Sequence, residues 1–363
     1  MIGLCLSPVG RGLAAGFDQS SQSASAAGVA NAFVATASDA SAVAYNPAGL
    51  AWQDGVSATV GVLLDYRNSS VHLPAGVAPN GGVEDTIGHL YLGWMPHDGR
   101  LGAGFGVSPL YQANNAWGNV FGAGDTKLTV DHASFDAVYA LNSSLAISGG
   151  LDWYISRISM SRGAASFKGK DYAGIGGHLA LMWKPRPAWS VGAMLRSGAR
   201  VKADGSRNDQ LSMKLPDRVT LGLAHDFADV WRLEGDLSWT RWSVLKDMNV
   251  TTAGVVTQSN PLNLRDTLKF ALGLTWTWRE ATQFRLGYAY EQGANRAEGF
   301  NPIIADQDGH QISIGAGGAL SGMHLDLSYS YTFHPKKTAT GTYAGTYRDR
   351  RQAIVISVSK RFD

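Results

Sequence analysis

The chain has 363 residues, 45% of them hydrophobic, which excludes general disorder. A formal net charge of +2 says little about partners, no basic block points to nucleic acid, and a single cysteine, Cys5, excludes an internal disulfide framework. No run of 18 apolar residues occurs, which excludes a spanning helix but not a barrel, whose strands need only about 9–11 residues each.

The first residues, MIGLCLSPVGRGLAAG, begin apolar and end in small residues. They read as a remnant of a secretory signal over 1–15, cut before Gly16 or Phe17, or as an irregular tail. Residues 16–52 are small, polar and poor in charge, matching neither a strand nor an amphipathic helix. They read as a plug, and residues 53–363 as the barrel around it.

From Gly55 onward the apolar period is two. In WRLEGDLSWTRW, Trp231, Leu233, Leu237 and Trp239 share one face, and Arg232, Glu234, Asp236 and Ser238 the other. The same alternation runs through 268–279, 283–290 and 323–333. Aromatics at the ends of the apolar face and aliphatics in its middle suit a lipid-facing wall with aromatic girdles. A closed sheet also leaves no unpaired edge in lipid.

The pattern predicts about fourteen antiparallel strands: 56–66, 86–96, 100–108, 129–140, 144–157, 171–184, 188–200, 215–227, 230–241, 268–278, 281–290, 308–319, 322–333 and 351–362. Short turns alternate with long segments at 67–85, 109–128, 158–170, 201–214, 242–267, 291–307 and 334–350, all expected to be loops. This is the arrangement of an outer-membrane barrel with short periplasmic turns and long extracellular loops. The fold expected is all-β, a transmembrane barrel with an N-terminal plug in its lumen. The last strand ends in an aromatic, Phe362, followed by Asp363.

The segment DASAVAYNPAGLA at 39–51 resembles the start of the FadL/TodX (OmpP1) family of outer-membrane transporters for long-chain fatty acids and hydrocarbons. There an N-terminal hatch ends in an Asn-Pro-Ala motif, matched by Asn46, Pro47 and Ala48; Ser38-Asp39 stands where the family often has two acids. The stretches 215–227, 231–243, 266–273 and 284–292 are similar too.

The resemblance implies a fourteen-stranded barrel in the Gram-negative outer membrane, with compact outer loops, that takes up a hydrophobic molecule passively. The molecule would be caught among the outer loops, held above the hatch, and released sideways beside a kinked third strand. Gly102, Gly104, Gly106 and Pro109 suit such a kink, and equally a glycine-rich strand packed against the plug. No cofactor, metal or enzymatic activity is expected. The partners expected are the substrate, outer-membrane lipid and lipopolysaccharide, with detergent in their place in crystals, and the barrel is expected to be a monomer.

Pro47 fixes one backbone angle and restricts Asn46, whose amide can bond a nearby backbone group. Phe17 and Phe33, the only phenylalanines of the hatch, either touch the ligand or pack against the wall. Leu110, Tyr111, Trp117, Val120 and Phe121 stand outside any strand pattern, as loop residues for ligand capture, loop packing or lipopolysaccharide contact. Leu245 and Met248 add to that surface. Arg232, Glu234, Asp236, Lys269, Arg285 and Asp326 face inward as ion-pair partners. Arg196, Arg200, Lys269 and Arg285 are candidates to meet a substrate carboxylate, and spacing selects none of them. His324, Asp326 and Ser328 share a face, but alternation alone produces such triplets. A general porin, which would lack the plug, and an adhesive or structural barrel remain the competing readings.

Overall fold

A computed structural model describes residues 17–19, 21–80, 83–118, 120, 124–163, 165–279, 282–296, 300–304 and 306–362. The expected signal remnant lies outside them, as does Phe121. Fourteen strands form a closed antiparallel barrel. They are β1 (Gly55–Leu73), β2 (Val83–Met95), β3 (Leu101–Ala116), β4 (Asp125–Asn142), β5 (Leu145–Arg162), β6 (Ala165–Arg186) and β7 (Trp189–Arg196). The circuit continues through β8 (Arg218–Phe227), β9 (Trp231–Thr240), β10 (Thr267–Trp278), β11 (Thr282–Glu291), β12 (Gly309–Leu320), β13 (Met323–Phe333) and β14 (Gly345–Phe362). It closes where β1 pairs with β14, from Val56 opposite Phe362 to His72 opposite Thr346.

Apolar side chains point out and charged ones in, the reverse of a water-soluble sandwich. On β9, Leu233, Leu237 and Trp239 are exposed, whereas Glu234 and Asp236 are buried in the lumen. An apolar band continuous around the wall must be covered by lipid. Two aromatic ladders border it. At the short-turn end Trp189 stacks on His225 (4.1 Å between centroids), Trp231 on Trp276 (5.7 Å) and Trp276 on Phe284 (5.6 Å). At the other end His310 sits between Tyr290 (5.1 Å) and Phe333 (5.2 Å). The short turns are tight: Ala228 and Asp229 both adopt positive φ (51° and 57°), the twist that antiparallel hairpins require.

Several expected loops are strand instead. β1 runs on to Leu73 and β3 to Ala116, while β4 starts at Asp125 and β6 at Ala165. The reason is an inversion of polarity. Above the lipid, Leu128, Val130, Ile158, Met160 and Phe167 turn into the lumen, and Lys127, Arg157 and Lys168 face water. A reading that equates the apolar face with the outer wall stops at that level. Short strands at 200–205, 209–214, 250–252 and 255–258 extend the wall further as paired ribbons.

The lumen is filled at two levels. Residues 21–52 occupy the lower one with two short helices, α1 (Ala24–Gly28) and α2 (Ala42–Tyr45), and a 3-10 turn over Pro47–Trp52. Phe33, Val43, Tyr45 and Leu50 pack there on Tyr91, Val138, Ala146 and Met182 of the wall. The upper level is a second apolar cluster built mainly from the extended strands and the 242–264 segment.

Candidate functional site

The Asn-Pro-Ala turn is held from three sides. The Asn46 amide donates to the Val34 carbonyl (2.7 Å) and to the wall carbonyl of Leu181 (2.9 Å), while its Oδ1 accepts the Ala48 N–H (3.2 Å). Pro47 stands at the first turn of the 3-10 helix, where its missing N–H is not needed. Asn46 and Ala48 are fully buried.

The hatch lies directly on wall backbone. A Cβ on Gly192 would come within 2.1 Å of the Val34 oxygen, and one on Gly287 within 2.3 Å of the Ala30 nitrogen. Such approaches exclude any side chain. Asp236 accepts the N–H groups of Phe33 (2.9 Å) and Val34 (3.0 Å), Glu234 accepts the Thr36 hydroxyl, and the Ser190 hydroxyl donates to the Ala35 carbonyl (2.6 Å). Tyr45 accepts the Gln22 N–H (2.8 Å) and donates to Asn31 (3.1 Å); burial pushes its phenol well above its ordinary range and keeps it neutral.

The seam between β2 and β3 is interrupted. β1 and β2 pair from Gly55–Met95 to Arg67–Val83, and β3 and β4 pair along the length of β3. β2 and β3, however, pair only from Trp94–Ala103 to Leu90–Val107. Above that point β3 carries a bulge between Pro109 and Tyr111, and its free edge meets residues 17–19: Gln19 N–H donates to Leu110 (2.9 Å), and Gln112 N–H to Phe17 (2.7 Å). Gln22 spans the seam, accepting from the Tyr91 hydroxyl of β2 (2.9 Å) and donating to the Pro109 carbonyl of β3 (2.8 Å).

The glycines of β3 face inward below the break. Added Cβ atoms would meet Val43 and Leu50 of the hatch at Gly104 (2.9 and 3.0 Å), Val43 and Tyr91 at Gly106 (both 2.7 Å), and Trp94 and Met95 at Gly102 (2.5 and 2.8 Å). They let the plug approach the wall, while the pairing breaks at Val107–Tyr111.

The upper cluster takes in residues expected on exposed loops, which is a correction of their placement. Leu110 and Tyr111 lie on β3, and Leu110, Tyr111, Leu245 and Met248 are all buried in this cluster. Trp117 is buried in a separate cluster with Phe300 and Tyr347, against which Val120 packs. At the centre of the upper cluster Phe17 meets Trp242 (4.9 Å) and Tyr111 (5.5 Å) edge to face. Among the described residues, exposed apolar side chains of the outer segments include Val77, Val255 and Val256.

Between the two levels lies a polar chamber of about 80 Å³ lined by Asp18, Arg196, Arg218, Asp236, Lys269 and Glu291. Arg218 pairs with Asp18 (2.7 Å), Arg196 with Asp152 (3.4 Å) and Lys269 with Glu291 (3.7 Å). Behind Asp152, His178 bridges to Asp136 (3.0 and 2.5 Å). Below the hatch, a cavity of about 560 Å³ is lined by Arg232, Arg285, His324 and Asp326. There Arg285 donates to Asp326 (2.6 Å), and Arg232 forks onto Asp226 (2.6 and 2.9 Å). Asp326 therefore serves Arg285, and the His324–Asp326–Ser328 face is an ion-pair site. Among the described residues no group of metal-ligating side chains converges.

The sequence profile of the outer membrane protein transport family (OMPP1/FadL/TodX) matches residues 154–361, more than half of the chain. The chain belongs to this family. Two curated relatives are outer membrane protein P1 of Haemophilus influenzae, 29% identical over 135 residues, and the long-chain fatty acid transport protein of Salmonella typhi, 25% identical over 128. These matches cover 37% and 35% of this chain and 29% of each relative. Among solved structures, a Pseudomonas aeruginosa FadL homologue superposes with a TM-score of 0.86 at 17% identity, covering 96% of this chain and 100% of that one. The Pseudomonas putida toluene transporter TodX superposes at 0.70 and 18% identity, covering 98% of this chain and 100% of that one. At such identities the likeness is one of fold. As a member of the OMPP1/FadL/TodX family, the protein is a barrel of the Gram-negative outer membrane.

Sequence reasoning missed Gln22, Tyr91 and Trp242. Trp242 follows the alternating run of β9, and the only trace of its role was an aromatic continuing past the strand's end. Gln22 and Tyr91 gave no signal, because a seam is a relation between strands.

Proposed function

We propose that the protein admits a hydrophobic small molecule through the outer membrane by passive diffusion, and that the molecule leaves sideways through the seam between β2 and β3. The observation that carries this reading is the end of β2–β3 pairing at Leu90–Val107, while both strands keep their other neighbours. A closed barrel in lipid satisfies its backbone by continuous pairing, so a seam whose free edge is taken up by residues 17–19 and Gln22 needs a reason.

In this reading the upper cluster around Phe17, Leu110, Tyr111, Leu245 and Met248 receives the molecule, with Trp117 and Val120 nearer the outer rim. The hatch, with Phe33, Asn46, Pro47 and Ala48, blocks the axis. Gly102, Gly104, Gly106 and Pro109 form the lower border of the exit. Arg232, Glu234, Asp236, Lys269, Arg285 and Asp326 are structural. The barrel works as a monomer, with lipid on its wall and lipopolysaccharide at its rim. Close seating of the hatch on Gly192 and Gly287 supports sideways over axial release.

A tether across the seam tests this. Cysteines replacing Ile87 on β2 and Ala113 on β3, joined by a bifunctional thiol reagent, should stop uptake of a hydrophobic tracer into proteoliposomes, and cleaving the tether should restore it. Unchanged uptake through a tethered seam would reject lateral exit.

A further inference from the structure

A sector of the outer wall carries cations that the chain leaves unmatched. β6 presents Lys168 and Lys170 outward, on the face opposite Phe167. The paired ribbon beside it, 200–205 with 209–214, turns Val201 and Met213 into the upper cluster and exposes Arg200, Lys202 and Lys214. Arg200, a candidate for a substrate carboxylate, therefore faces away from the lumen. Arg157 next to this sector pairs with Asp131, and Arg241 and Arg265 further round the rim pair with Asp217 and Asp308; among the described residues none of the five has such a partner. The ribbon and the outer part of β6 hold three carboxylates. Asp171 is buried and accepts the N–H groups of Ala173 and Lys202, and Asp209 accepts the Thr252 hydroxyl. Asp204, opposite Lys170 in the ladder, is the exposed one.

Arg200 and Lys214 are direct partners in the ribbon ladder. Neighbouring strands lie about 4.8 Å apart, and like charges directly opposite destabilise a sheet. An anion held between them removes that repulsion. Towards the short turns the sector gives way to the lipid-facing band: Trp153, Tyr172 and Ile175 are exposed, and the Trp153 indole N–H donates to the Tyr172 carbonyl (2.7 Å). Cations directly above an apolar surface fit an amphiphile with an anionic head and acyl tails. At this height on an outer-membrane barrel, that amphiphile is the glycolipid of the outer leaflet. We infer that β6 and the 200–214 ribbon form a seat for the lipid A part of lipopolysaccharide, with its phosphates on these cations and its acyl chains along Tyr172 and Ile175. The inference deepens the reading that lipopolysaccharide meets the rim, and is independent of the exit route.

The test measures lipid A binding to the full chain, purified in a non-ionic detergent, by native mass spectrometry. Bisphosphorylated lipid A should bind at least about tenfold more tightly than the same lipid stripped of both phosphates. Arg200→Gln combined with Lys214→Gln should weaken the bisphosphorylated form by about tenfold or more and leave the stripped form within about twofold. Arg348→Gln combined with Arg350→Gln, at two exposed arginines on β14, removes the same charge elsewhere on the rim and should change neither. Equal binding of the two lipids by the unaltered chain overturns the inference, as does equal weakening by the two double variants. Displacement of lipid A by an equal concentration of phosphatidylglycerol also overturns it, by showing a surface for any anionic lipid. Each of these failures leaves the uptake reading standing, since that is tested by tracer movement and not by lipid binding.

Discussion

The Tyr91 hydroxyl on β2 donates to the Gln22 side chain of the hatch at 2.9 Å, and the Gln22 amide donates onward to Pro109 of β3 at 2.8 Å. One hatch side chain thereby joins the two strands just where their own pairing has ended. Leu90 and Val107 are the last partners in the ladder, and Tyr91 and Pro109 lie close beside them.

Gln22 should therefore set how often the seam opens. Gln22→Leu keeps the volume and removes both side-chain links, each worth about 0.5–1.5 kcal/mol. The initial rate of tracer uptake into proteoliposomes should rise on the order of tenfold, while heat-modifiable mobility in gels shows an intact barrel. An unchanged rate would mean that Gln22 does not restrain the seam.

Leu110 is the extra residue of the β3 bulge: Pro109 opposes Asp131, Tyr111 opposes Val130, and Leu110 has no opposite number. Its deletion should straighten β3, extend its pairing to β2 and reduce uptake by about tenfold or more. Folding should survive, because the β3–β4 register above and below the bulge is regular. Retained uptake in a straightened strand would detach the bulge from transport.

Strand number and the in–out alternation were legible because lipid demands a sustained apolar face on every strand. β9 reads the same in sequence and structure, with Leu233 and Leu237 out and Glu234 and Asp236 in. The inversion above the lipid was hidden: Leu128–Val130 and Ile158–Met160 alternate as well, but their apolar face is the lumen. Asn46 and Pro47 announced a rigid turn through their chemistry, whereas the partners of Asn46, Val34 and Leu181, come from chain distances that no local pattern carries. The β3 glycines could be read two ways, and the contacts they permit with Val43 and Leu50 lie below the break, not at it.

Gly287 is the sharpest test of the hatch seating. A Cβ there would stand 2.3 Å from the Ala30 nitrogen and 2.4 Å from the Val29 carbonyl carbon, both backbone atoms that cannot rotate away. Gly287→Val should lift residues 29–30 from the wall and raise single-channel conductance in planar bilayers, with barrel assembly unchanged. Gly88→Val, at a glycine with no neighbour near its added Cβ, is the matched control and should leave conductance alone. Equal conductance in both variants would show that the plug can be displaced from this wall contact without opening the axis.

Asn46 separates a specific hydrogen-bonding role from mere packing. Its amide donates to two carbonyl oxygens, so Asn46→Asp, nearly identical in shape, would set a carboxylate against both. Asn46→Ala only removes the donors, leaving the buried Val34 carbonyl unsatisfied at about 1–3 kcal/mol, while Leu181 keeps its place in the ladder. The aspartate should therefore be the more damaging change, through a repulsion that alanine lacks and a charge that must be buried or neutralised. Hydrogen exchange of the hatch amides over 33–50 reads the difference: protection should fall in Asn46→Ala and fall further in Asn46→Asp. The reverse order would mean that Asn46 holds the turn by its volume and not by the direction of its hydrogen bonds.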